Sequence, residues 1–226
     1  MASTFPGFPK SLPVFLQDLA ANNTKDWFES HRDSYVQAYL EPATAFVTAI
    51  APLLAEWDAG IRAEAKLNGS VRRIHRDTRF SKDKRPYHAR LHLIFWQGKK
   101  PTGAPGFHFL IGPDHMGLGA GFWAFDKAEL ERYRDALGRP KTAAALVSAI
   151  QNATSDGYRL DPPALKRPPA GYDTADPDLI RQKGLVVRCD APLPAALFDS
   201  GAVSHVRDRF EPLVPLHRWI VENVTG

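Results

Sequence analysis

His88-Ala89-Arg90-Leu91-His92-Leu93-Ile94-Phe95-Trp96-Gln97 alternates in chemistry along the chain. In an extended strand successive side chains point to opposite faces, so Ala89, Leu91, Leu93 and Phe95 share one face and His88, Arg90 and His92 the other. Residues 106–111 and 116–122 read as two more strands, joined by Gly112-Pro113-Asp114-His115, which has the composition of a hairpin turn. Residues 71–76 form a shorter candidate before them, and residues 184–189 one well after. Consecutive strands with tight connections favour antiparallel pairing, because parallel neighbours need a long crossover.

The flanks of this strand run are helical. Leu12, Phe15, Leu16 and Leu19 recur at spacings of three and four, with Ser11 as the expected cap and Pro13 tolerated in the first turn. Asn22-Asn23 separates this helix from the next, and Asn23 is the expected N-cap, with Asp26 in the first turn. Trp27, Phe28, Tyr35 and Tyr39 give that segment its apolar face. Pro42 opens a third helix bearing Phe46, Ile50, Leu53, Leu54 and Trp57, which Pro52 should kink or end early. Beyond the strands, Asp126 and Glu129 have capping-box spacing, and Gly138 is read as a left-handed stop. Pro140 precedes a further helix, and a Pro-rich passage at 161–171 reads as a loop. Val203, Val206, Phe210, Leu213, Val214, His217, Ile220 and Val221 form a last helical stripe, interrupted at Pro212 and Pro215. Helices, then strands, then helices define an α+β fold: a central, mainly antiparallel sheet with N-terminal and C-terminal helices packed on it. One domain over residues 1–226 is expected, with a polar sheet face or groove beside the helices.

Charge is unevenly distributed. Residues 70–100 hold ten Lys or Arg against two Asp, an excess larger than the +4 of the whole chain, so the remainder is net acidic. A cationic segment broken by Asp, Ser and aromatic residues points to an anion site. The single cysteine, Cys189, forbids an internal disulfide and favours a reducing compartment. The start of the chain lacks the pattern of a signal peptide, and no uninterrupted apolar run approaches the roughly 20 residues that span a bilayer. A soluble cytoplasmic protein is expected, without membrane contact.

Three phrases together resemble a known family: Asn22-Asn23-Thr24-Lys25-Asp26-Trp27-Phe28, then Arg76-Asp77-Thr78-Arg79-Phe80-Ser81-Lys82-Asp83-Lys84-Arg85-Pro86-Tyr87, then Leu165-Lys166-Arg167-Pro168-Pro169-Ala170-Gly171-Tyr172. The pattern is similar to the family catalogued as domain of unknown function 2461. The resemblance implies a single α+β domain of about this length and assigns no reaction.

Within the second phrase and its approach, Arg73, Arg76, Arg79, Lys82 and Lys84 are candidates for an anion cradle, because guanidinium forks bind phosphate or carboxylate through paired hydrogen bonds. Ser81 adds a hydroxyl donor, Asp83 and Asp77 orient the cations, and Tyr87 closes the set. Asp77 is the candidate general base if chemistry occurs. Arg79→Ala is expected to weaken phosphate binding by roughly 1.5–3 kcal/mol. The partner expected is a small anionic ligand. Two other readings stay open: nucleic-acid phosphates gripped by the same loop, and a purely structural ion-pair network. His88 and His92, with His108 and Asp77, have donors suited to zinc or iron, but no His-x-His, His-Glu-x-x-His or cysteine cluster accompanies them, and neither metal nor other cofactor is expected. Ser81 lies in no nucleophile elbow, and the Gly117-Leu118-Gly119-Ala120-Gly121 run lies within strands, where close packing explains it.

Overall fold

Among the described residues, six strands build one antiparallel sheet: β1 (Ile61–Arg62), β2 (Leu91–Gln97), β3 (Gly106–Ile111), β4 (His115–Phe122), β5 (Arg159–Leu160) and β6 (Leu185–Pro192), in the spatial order β1-β2-β3-β4-β6-β5. The computed structural model describes residues 5–172 and 176–225, so the first four residues of the N-terminal reading lie outside it. Among the described residues, eight α-helices flank the strands: α1 (Ser11–Ala21), α2 (Lys25–Ser30), α3 (Arg32–Tyr35), α4 (Glu41–Ala55), α5 (Lys127–Leu137), α6 (Pro140–Ser155), α7 (Ala202–Phe210) and α8 (Val214–Ile220). The fold is therefore α+β, as the order of apolar periodicities predicts.

The chain divides into two compact units, neither a continuous segment. One comprises Met1–Phe95, His108–Gly117 and Asp190–Arg209; the other comprises Trp96–Phe107, Leu118–Cys189 and Phe210–Gly226. In the first, Phe5, Phe8 and Phe46 pack against one another, and Phe46 on α4 meets Phe109 on β3 at 5.6 Å between ring centroids. Burying each such ring is worth about 1.5–3 kcal/mol. The stripe on α1 is fully used, since Leu12, Phe15, Leu16 and Leu19 are all buried. Arg32–Ala55 is one helical run, interrupted by a π-helical turn at Val36–Leu40, and by length and composition alone it could cross a membrane. Tyr35, Tyr39, Phe46, Val47, Ile50 and Leu54 on it are core residues, which accounts for that apolarity.

In the second unit, Phe107 on β3 packs on Phe210 and His217 at 5.2 and 4.8 Å. The glycines of β4 sit against β6. A Cβ on Gly119 would lie 2.6 Å from the Val187 carbonyl oxygen, and one on Gly121, where φ is +149°, would collide with that of Leu185. Close strand approach is thus the reason for Gly119 and Gly121 in the Gly-x-Gly-x-Gly run.

Several local expectations are corrected. The cap of α1 is Lys10, without a side-chain bond, and Ser11 is its first residue. Thr24, not Asn23, caps α2 by accepting from the Trp27 amide, because Asn23 is engaged elsewhere. Gly138 ends α5 in right-handed geometry, and Arg139, already extended, lets Pro140 start α6. The Asp126–Glu129 capping box is present. Pro52 is absorbed in the last turn of α4. Residues 71–76 form isolated bridges instead of a strand. A broad polar sheet face is absent from β2 to β4, whose residues are mostly buried whichever way they point.

Candidate anion site

An irregular hairpin in the first unit builds the site. Residues 70–76 run antiparallel to 86–94. At the base the Arg72 amide donates to the His92 carbonyl and the Ile94 amide to that of Ser70, both at 2.9 Å. Nearer the tip the His88 amide donates to Ile74 and the Arg76 amide to Pro86, both at 2.8 Å. Between these pairs the register slips: Ala89, Arg90 and Leu91 stand opposite Arg73 alone. A bulge of this kind breaks the ladder and re-aims side chains, which is why residues 71–76 do not read out as a continuous strand. Pro86 adds to the interruption, since it has no amide to donate. The Tyr39 hydroxyl, carried on the π-helical turn, donates a long hydrogen bond of 3.4 Å to the Arg90 carbonyl in the bulge.

Asn23 fixes the second arm. Its amide nitrogen donates to the Tyr87 carbonyl and its amide oxygen accepts from the Tyr87 amide, both at 3.0 Å, as a neighbouring strand would do. The Tyr87 ring is buried and stacks on Phe28 at 4.3 Å. The link between the first and second family phrases is therefore a physical one.

The tip, residues 77–85, is held by two Asp-x-Arg clasps of the same form. Asp77 accepts from the Arg79 amide (3.2 Å) and from the Arg79 guanidinium (Nη2 2.7 Å). Asp83 accepts from the Arg85 amide (3.0 Å) and from its guanidinium (Nη2 2.8 Å). Arg76 joins the second clasp, donating to Asp83 Oδ2 (2.8 Å) and to the Arg85 carbonyl (2.9 Å). Lys84 donates to the Thr78 carbonyl at 2.9 Å. Hydrogen bonds from Arg79 hold the Asp77 carboxyl below the usual carboxylate range, and those from Arg85 hold Asp83 well below it. A carboxylate so stabilised is a weak base. Lys82 is exposed, Ser81 is half-buried, and neither side chain makes a hydrogen bond or ion pair among the described residues.

Two adjacent hollows lie under this loop. One, of about 310 Å³, is lined by Arg76, Asp83, Arg85 and Tyr87, among others, and its Arg76 and Arg85 are both paired with Asp83. The other, of about 300 Å³, is lined by Arg72, Arg73, His75, Asp77, His88, Arg90 and His92. Among the described residues, no carboxylate lies within ion-pair distance of Arg72, Arg73 or Arg90. The histidines register the resulting field. Burial lowers the pKa of His88, and Arg90, Arg76 and Arg73 lower it further. His92 is pushed down to about 3, first by burial and then by His108, Arg90 and Arg72. His108, on β3, is pushed down to about 4 by burial and by Arg72. His92 Nε2 and His108 Nδ1 lie 2.9 Å apart, so one neutral ring donates to the other.

The structure brings Arg73 and Asp77 to the second hollow and Arg76, Asp83 and Tyr87 to the first, while Arg79, Ser81, Lys82 and Lys84 line neither. Arg72, Arg90 and His75 escape the sequence reading as ligand candidates. For Arg90 a signal existed, since alternation put it between His88 and His92 on one face. Among the described residues no group of three or more His, Cys, Asp or Glu is disposed to hold a metal ion.

An α+β protein with a cationic, histidine-lined hollow is the class these features define. The model of the conserved hypothetical protein family DUF2461 matches residues 12–219, and the chain belongs to that family. No curated protein matches the chain.

Proposed function

We infer that the hollow between the hairpin arms binds an anionic group of phosphate size and charge. One observation carries the reading: Arg72, Arg73 and Arg90 line one cavity with no carboxylate partner of their own among the described residues. Asp77, already clasped to Arg79, is the one carboxylate among the described residues lining this hollow, so three guanidinium groups there outnumber it, and an anion accepting their hydrogen bonds offsets the excess. The depressed histidines support it: burial lowers them most, the arginines lower each further, and that second part is eased once an anion arrives. Arg76, Arg79, Lys84, Asp77 and Asp83 then frame the hollow by keeping the loop in shape, and Lys82 and Ser81, which line neither hollow, take no part in this reading. Asp77, clasped to Arg79, serves as a positioning group in this reading.

Calorimetric titration with inorganic phosphate and with sulfate tests it. Arg73→Ala and Arg90→Ala are each expected to weaken binding about ten- to a hundredfold, by analogy with other hydrogen bonds to charged groups. Arg79→Ala is expected to have a smaller effect, because that guanidinium already holds Asp77. Unchanged affinity in folded Arg73 and Arg90 variants overturns the reading, as does failure of any phosphate or carboxylate compound to bind. The purely structural alternative predicts that no anion raises the melting temperature.

A further inference from the structure

Phe80 is the most exposed large apolar side chain among the described residues, at 95 %. It stands at the tip of the hairpin, and the loop beneath it is not slack. The Ser81 amide donates to the Thr78 carbonyl (3.3 Å), Lys84 donates to the same carbonyl, and the two Asp-x-Arg clasps brace both sides. The Arg79 guanidinium carbon lies 5.8 Å from the Phe80 ring centroid, close enough for a cation–π contact that leaves the ring open to solvent. The loop therefore holds an aromatic ring out in water, where its exposure costs about 1.5–3 kcal/mol relative to burial.

A chain of contacts links the ring to the hollow. Phe80 contacts Arg79, Arg79 clasps Asp77, and Asp77 lines the hollow of Arg72, Arg73 and Arg90. Residues 72–90 carry eight Lys or Arg against two Asp. An open aromatic face beside a cationic recess matches one ligand chemistry well: a flat π-system joined by a flexible link to a phosphate. We propose that the anion taken by the hollow is a backbone phosphate of single-stranded nucleic acid, and that a base of the same strand stacks on Phe80. This rests on the anion-binding reading for the phosphate only. Duplex bases are already stacked and cannot offer a face, so a single strand is favoured. A lipid surface fits less well. Insertion would draw the ring into hydrocarbon together with the charges of Arg79, 5.8 Å from its centroid, and of Lys82 two residues on in the turn.

Fluorescence anisotropy of the full chain with a labelled twelve-nucleotide oligothymidylate tests the proposal. Phe80→Ala is expected to weaken binding about tenfold, as expected for losing one stacked base. It should leave sulfate affinity unchanged, while Phe80→Trp restores binding. Arg73→Ala should reduce the slope of log affinity against log salt by about 0.7, the value for one single-strand phosphate. Equal binding of a duplex of the same length overturns the proposal. So does an undiminished Phe80→Ala variant, or Phe80-dependent binding to phosphatidylserine vesicles in place of the oligonucleotide. Failure of sulfate to bind the unaltered chain, with Phe80-dependent oligonucleotide binding intact, refutes the hollow and not the stacking platform.

Discussion

At the scale of single residues, Asn23 shows how a residue type underdetermines its role. Asparagine before a helix is a good cap, yet here its amide is turned onto the Tyr87 backbone and Thr24 caps the helix instead. The reason is that the amide offers a donor nitrogen and an acceptor oxygen side by side, spaced to meet both the carbonyl and the N–H of one buried residue. Asn23→Ala leaves the Tyr87 amide and carbonyl without that partner. Its expected cost is about 1–3 kcal/mol, read as a lower urea midpoint with an unchanged slope. Asn23→Asp keeps the acceptor but sets a carboxylate oxygen against the Tyr87 carbonyl, so it should recover little of the loss. The clasps at Asp77 and Asp83 act locally too. Both carboxyls have lowered pKa values, so their contribution is present above pH 4 and fades as they protonate below it.

Elements set the limits on what those residues can do. The hairpin of residues 70–94 owes its hollow to the slip between its arms, since a regular ladder would place Arg73 directly across from a partner and close the space. Neither the slip nor the recruitment of Arg72 could be read from alternation alone, because a bulge leaves no fixed sequence signature. Glycines in β4 are the counter-example: their spacing was legible, and packing against β6 explains it. Gly121→Ala combines a backbone angle that side chains disfavour with a collision against the β6 backbone. It is expected to lower stability by about 2–5 kcal/mol, checked by thermal or urea denaturation.

For the molecule as a whole, four depressed histidines, the three at the hairpin and β3 and also His205, make stability depend on pH in a defined window, and the first three tie binding to it. His88, His92 and His108 stay neutral in the fold to lower pH than an unfolded histidine, whose pKa is near 6.5. Below 6.5 the unfolded chain takes up protons that the folded chain refuses. Stability is therefore complete above pH 6.5 and declines as pH falls toward 4, at no more than about 1.4 kcal/mol per pH unit for each histidine. Urea midpoints measured between pH 7.5 and 4.5 check this, and His92→Asn should flatten the profile. Sulfate, which keeps its charge throughout, should bind more tightly as pH falls from 7 to 5, with proton uptake visible as a buffer-dependent binding enthalpy. A flat affinity over that range would separate the histidines from the anion.

Periodicity of two and of three to four residues was enough to establish the α+β order, the principal strands and the cationic segment, because hydrophobic pattern and charge are properties of neighbours along the chain. The choice among the cations was not. Which arginines pair with Asp77 and Asp83, and which face the hollow unpaired, depends on a register slip, on an asparagine some sixty residues away and on a π-turn beneath Arg90. Those are contacts between segments remote in sequence, and only the folded chain brings them within reach of one another.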